Sequence, residues 1–579
     1  MRASFDLVIR GGSFFDGRGA PPVVRDVGVT GGRVAAISAE PLDGARVVEA
    51  AGCWVMPGFI DLHTHYDAEV ELAPALSESL RHGVTTVLLG SCSLSLALGT
   101  PEDLADMFCR VEAIPYDVVR DLLEAKKDWD GHAEYLAHLA SLPLGPHIAS
   151  FAGHSALRAR VMGIERSLDG GERPSGAELA EMERLVVDAL DAGYLGLSIQ
   201  TLPWDKMGGS RAFRSRPLPS TFARWSEHRR LTRHLRERGR VFQGVPNVST
   251  KWNVILFLLE SVGLLRKPLK TTVISMMDIR AARGIYQVLG WVSRLFNTVL
   301  DADFRWQALP EKFDLWADGI DLVVFEEFGA GAAALHLADQ VARENLLADP
   351  TYRARFRSQW TSRILPKVFH RDFNQSEILA CPDAALVGKS FAAVAHERRE
   401  HVVDTFLDLV VRWGTELRWY TVMANDRRGA LEYIVSHPDI LVGFSDAGAH
   451  LRQMAHYNFP LRMLRLVRDA ERRGDPVMPV EQAVWRLTGE IGGWLGLDAG
   501  TLAVGGRADL VVVDPEGLTD ELDQTTEAPM AFFGGYRRLV RRNDAAVRAV
   551  VVNGRVAVDQ GEPVAEVGRE PGFGTVLRV

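Results

Sequence analysis

Eight short apolar runs recur along this chain, most of them separated by amphipathic stretches, and that alternation narrows the folds open to it. The runs are 55–62 "VMPGFIDL", 84–90 "VTTVLLG", 146–152 "PHIASFA", 194–199 "YLGLSI", 240–246 "RVFQGVP", 271–277 "TTVISMM", 418–424 "RWYTVMA" and 439–445 "DILVGFS". Stretches such as "GAELAEMERLVVDALDAG" and "SEHRRLTRHLRERG" lie between them with helical spacing of apolar positions. Eight strands alternating with helices predict an α/β chain folded as a closed (β/α)8 barrel. The competing open, doubly wound sheet is disfavoured, because no Gly-rich phosphate turn follows the first strand.

The two ends read differently. "FDLVIRGGSFFDG", "VVRDVGVTGGRVAAI" and "ARVVEAAGCWVMPG" at the start, and "GTLAVGGRADLVVVDPEGL" and "VRAVVVNGRVAVDQGEPV" at the end, are short strands joined by Gly-Gly or Asn-Gly turns. They predict one small β-domain assembled from both termini: residues 1–57 and 496–579 flanking a catalytic domain over 58–495. Within that domain, residues from about 280 to 400 are rich in Trp and Phe helices and read as an insertion between strands six and seven. Trp419 and Tyr420 are expected to pack within strand seven.

Composition narrows the partners. The net charge is −9 and no Lys/Arg-rich run marks a nucleic-acid surface. No stretch of about 18 apolar residues could span a membrane. The first residues have no apolar core of a signal peptide, so a cytoplasmic protein is expected. The partner is expected to be a small-molecule substrate, with a homo-oligomer allowed for. Four cysteines in 579 residues make no disulfide framework.

The first run ends in "GFIDLHTHYD". Residues two apart in a strand point the same way, so His63 and His65 share one side at the C-terminal rim, where such barrels carry their chemistry. Two imidazoles aimed into one cavity suit Zn²⁺, Ni²⁺ or Fe²⁺. Strand two ends in "LLGSCS", placing Cys92 just past the rim; strand eight ends in "VGFSDAGAH", placing Asp446 there. Taken singly, Cys92 reads as a packed thiol and Asp446 as a helix cap. A barrel would nevertheless bring all four around one axis.

The stretches "VMPGFIDLHTHYD", "GVTTVLLGSCS", "GHSALR", "GFSDAGAH" and "GTLAVGGRADLVVVDPEGL" resemble the amidohydrolase superfamily, and within it the D-aminoacylase-like group of N-acyl-D-amino-acid deacylases. The resemblance implies a TIM barrel with a β-sandwich built from both termini, and a bound zinc that activates water against an amide carbonyl. His63 and His65 match the HxH ligands, Cys92 the cysteine that replaces a carbamylated lysine as a metal-bridging ligand, and Asp446 the strand-eight carboxylate that contacts the nucleophilic water and shuttles its proton. The chain also departs from the group. Where relatives place histidine ligands after strands five and six, it has "VFQGVPNVS" and "VISMMDIR", with Gln243, Asn247 and Met276. One zinc on His63, His65, Cys92 and Asp446 is therefore expected, with Asp446 distant enough to serve as base.

Around the rim, His154, Arg158, Gln243, Asn247, His450 and Arg452 are candidate substrate contacts, and His456 shares the loop of His450. The expected activity is metal-dependent hydrolysis of an N-acyl amino acid or related small amide. An unusual ester, a C–C bond next to a carbonyl, or a catalytically silent binding barrel are the alternatives. A ring deaminase is a weaker one, because it normally needs the absent strand-five histidine.

Overall fold

The computed structural model describes residues 5–111, 113–248, 250, 252–337, 339–362 and 367–579. Its fold is mixed α/β. Parallel strands run in the order Phe59–Asp61, Val84–Leu89 and His147–Ser150. After a break at Phe151 the ladder continues through Ala152–Gly153, Gly196–Gln200, Val241–Val245, Lys270–Val273, Asp303–Ala308 and Ile440–Val442. After a break at Gly443, Phe444–Ala447 pairs in parallel with His63–Thr64, which resumes the first strand beyond Leu62. The pairings thus return to where they began, and every strand end carrying a candidate ligand faces the same rim.

The helices between these strands are built as their sequences dictate. Helix Gly176–Ala192 starts at Ser175, whose hydroxyl accepts from the Glu178 N–H while the Glu178 carboxylate accepts from the Ser175 N–H. Such a cap contributes about 1 kcal/mol. Gly193 ends the helix at φ 104°. Met182, Val186, Ala189 and Leu190, spaced four, three and one apart, form its buried stripe.

Strands from both termini share one nine-stranded sheet. The ends meet where Trp54–Pro57 pairs antiparallel with Leu510–Val513, and β-branched residues on both sides of that seam are fully buried. Among the described residues, no helix is long and apolar enough to cross a membrane.

The seventh ring strand differs from expectation. It is Asp303–Ala308, while residues 418–424 pair antiparallel with Phe313–Asp318 and Ser376–Ala380 in a separate three-stranded sheet. Trp419 and Tyr420 belong to that sheet. The insertion therefore follows strand seven rather than strand six, and helix Ile285–Val299 is an ordinary crossover. The aromatic residues of the insertion mostly pack on one another: Phe325 stacks on Trp360 at 5.7 Å and on Phe406 at 5.5 Å, and Trp419 stands edge-on to Phe406 at 6.0 Å.

Glu311, just past strand seven, ties the C-terminal segment down. It accepts from Arg541 Nη1 at 2.8 Å, contacts Arg462, and lies 3.3 Å from His456 Nδ1, all buried. Burial alone would push its carboxyl up; the charges of Arg462, His456 and Arg541 outweigh this and hold it at about 2. A depressed carboxyl stabilises the fold above its unfolded value, near 4.3, and that stabilisation is lost as pH falls toward 2. Breaking such a pair costs about 3–5 kcal/mol. Glu311→Gln should thus lower the melting temperature at pH 7, and its deficit against the natural protein should shrink between pH 5 and pH 2. A deficit independent of pH would contradict this.

Candidate metal centre

His63 and His65 sit at the end of the first ring strand, fully or almost fully buried, with ring centroids 5.3 Å apart. Cys92 follows strand two and Asp446 lies in strand eight. One ligand atom from each of His63, His65 and Cys92 falls within 4.8 Å of the others. His63 Nε2 lies 3.2 Å from Cys92 Sγ. Asp446 Oδ1 lies 3.5 Å from His63 Nε2 and 3.4 Å from His65 Nε2.

The backbone is bent to achieve this. Cys92, Ser93, Asp446 and His450 all adopt left-handed φ, at 53°, 70°, 56° and 48°. Non-glycine residues pay for that conformation, and clusters of them mark sites where side-chain direction matters more than local comfort. Gly448, at φ 91°, lets the strand-eight loop lie on strand one; a Cβ there would come within 2.6 Å of the His65 carbonyl.

A second layer fixes the imidazole of His63. Its Nδ1 donates to Gln307 Oε1 at 2.6 Å, which leaves Nε2 as the lone-pair nitrogen facing Cys92 and Asp446. Gln243 Nε2 lies 3.1 Å from the same Nδ1, and Gln243 Oε1 accepts from the Cys92 N–H at 3.2 Å. Phe444 packs edge-on against the ring at 4.9 Å. Gln307 was absent from the sequence-based candidates; the polar residue closing the alternation of "DFRWQALP" before Pro310 was the available signal.

Electrostatics follow from burial. Burial pushes His63 down to about 4 and the Cys92 thiol up to about 12. Burial also raises Asp446, but the hydrogen bond from His65 and the charge of the two imidazoles outweigh it, holding the carboxyl well below its ordinary range. Two imidazoles, one carboxylate and a thiol that stays protonated without nearby positive charge form a donor set that favours a cation. Two nitrogens and one sulfur within 4.8 Å fit a zinc-type ion.

The remaining candidates divide. His450 lines the cavity of about 180 Å³ that opens from His65, Cys92 and Asp446. Its other walls are mainly apolar, including Leu202, Val245, Met277, Phe313, Phe369 and Phe444. Gln243 touches His63 and Cys92 rather than this space. The Asn247 N–H is held by Thr201 Oγ1 and Asn253 Oδ1. His154 and Arg158 do not line the cavity: both are buried on Glu227 Oε1, each at 3.1 Å. Arg452 is paired with Asp318 at 2.5 Å and Glu527 at 3.4 Å. His456 is buried against Glu311. Met276 is fully buried.

Residues 46–211 match the amidohydrolase family. An uncharacterised protein of Mycobacterium tuberculosis is 48% identical over 566 residues, covering 96% of this chain and 92% of its own. The D-aminoacylase of Alcaligenes xylosoxydans xylosoxydans is 34% identical over 196 residues, or 34% of this chain and 37% of its own. The structure of N-acyl-D-glutamate deacylase from Bordetella bronchiseptica, complexed with zinc and a phosphonate inhibitor, shares the fold at TM-score 0.64 and 22% identity, over the whole of both chains. The chain belongs to the amidohydrolase family, in its D-aminoacylase-like group. In this amidohydrolase strands five and seven present amides to His63, Gln243 at 3.1 Å and Gln307 at 2.6 Å from its Nδ1.

Proposed function

We propose that this amidohydrolase is a hydrolase of small amides of the N-acyl amino acid class, acting through a single divalent cation held by His63, His65 and Cys92. The observation that carries this reading is the convergence of those three ligand atoms within 4.8 Å, with the Asp446 carboxylate 3.4–3.5 Å from both imidazoles. The ring of parallel strands is read as a (β/α)8 barrel, whose C-terminal rim carries such sites. When bound, a zinc-type ion lowers the pKa of water toward about 7 and polarises a carbonyl.

The chain's own residues supply the rest. Asp446 accepts one proton of the attacking water as the new C–O bond forms, then delivers it to the nitrogen as the C–N bond breaks. The carboxyl is held ionised in the resting site, so a lone pair is free for that proton. Gln307 holds His63 in one tautomer, and Phe444 keeps the ring from rotating. The apolar walls exclude water and suit an apolar acyl or side-chain group.

Screening metal-loaded protein against N-acyl-D- and N-acyl-L-amino acids, cyclic amides and esters tests this. Release of free amine from an N-acyl amino acid supports it; turnover of esters alone, or of nothing, rejects it. Gln307→Ala should weaken metal affinity about 10–100-fold in chelator competition, because His63 loses its orienting acceptor. Unchanged affinity would show that Gln307 does not support the ligand.

A further inference from the structure

Among the described residues fourteen large apolar side chains stand exposed, and eight of them fall within residues 255–299. Four lie on helix Ile285–Val299: Val288, Trp291, Leu295 and Val299, between 39% and 63% exposed. At about 100° per residue they share one stripe, about 17 Å long. Four more belong to the preceding crossover, helix Trp252–Ser261 and the turn after it: Ile255, Leu259, Leu264 and Leu265. The two groups meet where the Gly263 N–H donates to the Leu300 carbonyl at 3.3 Å and Val262 bridges to Ala302.

An apolar outward face is not the habit of this ring. Helix Trp225–Arg238, one crossover earlier, exposes Arg229, Arg230, Arg233 and Glu237. On helix Ile285–Val299 the one outward charge is Arg294, and its Nη1 lies 3.6 Å from Asp439 Oδ1. Scattered exposed apolar residues are ordinary, but roughly 100 Å² on each of these eight adds to about 800 Å². The largest patch on a typical monomer is about 300–600 Å². One side of a standard protein–protein interface is about 800 Å². The stripe is also self-complementary. Its positions step by three, four and four, and run backwards by four, four and three. Laid antiparallel on its own copy, Val288 would face the partner's Val299, and Trp291 the partner's Leu295. That reciprocity is what a two-fold axis requires.

We propose that this face joins two copies of the chain in a two-fold dimer, with helix Ile285–Val299 antiparallel to its mate at the axis. Trp291, near the midpoint of the stripe, is the anchor; Leu264 and Leu265 extend the contact beyond Val299, and Arg266 and Lys267 form a charged rim. A lipid surface would accept any apolar face, whereas the reversible spacing and the area favour a second copy. None of these residues lines the cavity beside His65, so the dimer stands apart from the hydrolase reading.

Sedimentation velocity of the full chain across micromolar concentrations, beside co-sedimentation with phosphatidylglycerol vesicles, tests this. A dimer should form, and Trp291→Glu should weaken it about tenfold or more. Val504→Glu, at an exposed apolar position outside the face, should leave it unchanged. Both variants should keep the circular dichroism spectrum of the natural protein. If Trp291→Glu does not fold, the Val288→Gln/Leu295→Gln double variant should still weaken the dimer. In a Cys381→Ser background, a mixture of Val288→Cys and Val299→Cys chains should form more disulfide-linked dimer under mild oxidation than either chain alone. A chain that stays monomeric throughout, a dimer that survives Trp291→Glu, equal weakening by Val504→Glu, or cross-linking no better in the mixture would overturn the proposal. So would a monomer that sediments with the vesicles, which would make the face a lipid-binding one.

Discussion

The Asp446→Asn variant is expected to lose about 10²–10⁴ in kcat, the usual contribution of a positioned general base. The substitution removes the proton acceptor but keeps an oxygen where Oδ1 stands, 3.4–3.5 Å from both imidazoles. Asparagine also tolerates the left-handed backbone at φ 56°, so the loop should hold its shape. Metal content should therefore fall far less than activity. Elemental analysis and steady-state kinetics on the same preparation separate the two. Loss of activity in proportion to loss of metal would make Asp446 a ligand only, and undisturbed activity would remove it from the site.

Cys92→Ala is expected to have the larger effect on the ion itself. Its thiol is the one sulfur donor among the described residues of the cluster, and it lies 3.2 Å from His63 Nε2. A zinc-type ion draws much of its affinity from thiolate, so the variant should bind metal at well under a tenth of an equivalent and show background activity only. Alanine fits the buried position, and truncating a small side chain costs on the order of 1 kcal/mol. Metal-free variant and metal-free natural protein should then melt within a few degrees of each other, which distinguishes ligand loss from misfolding.

These residues were legible in the sequence for a simple reason. The two-residue period of a strand puts His63 and His65 on one side, and strand ends of a closed ring must converge, so Cys92 and Asp446 could be placed without contacts. What failed was pairing over long distances. "RWYTVMA" has the β-branched and aromatic residues of a core strand, yet strand propensity says nothing about the partner, and it pairs inside the insertion. That displaced strand seven and hid Gln307, which lies in a run interrupted by Arg305 and preceded by polar Asp-Ala-Asp. His154 and Arg158 follow strand three as expected, but Glu227, on a helix some 70 residues later, draws both away from the cavity. A buried carboxylate from another element decides where such side chains point, and neither periodicity nor spacing reveals it.

The central claim is that one cation sits between two imidazoles and a thiolate. The direct measurement is the metal content of protein purified without added metal and then dialysed, alongside His63→Ala and Cys92→Ala. About one equivalent in the natural protein, lost in both variants with folding intact, is the predicted result; no bound metal, or one equivalent that survives both substitutions, would contradict it.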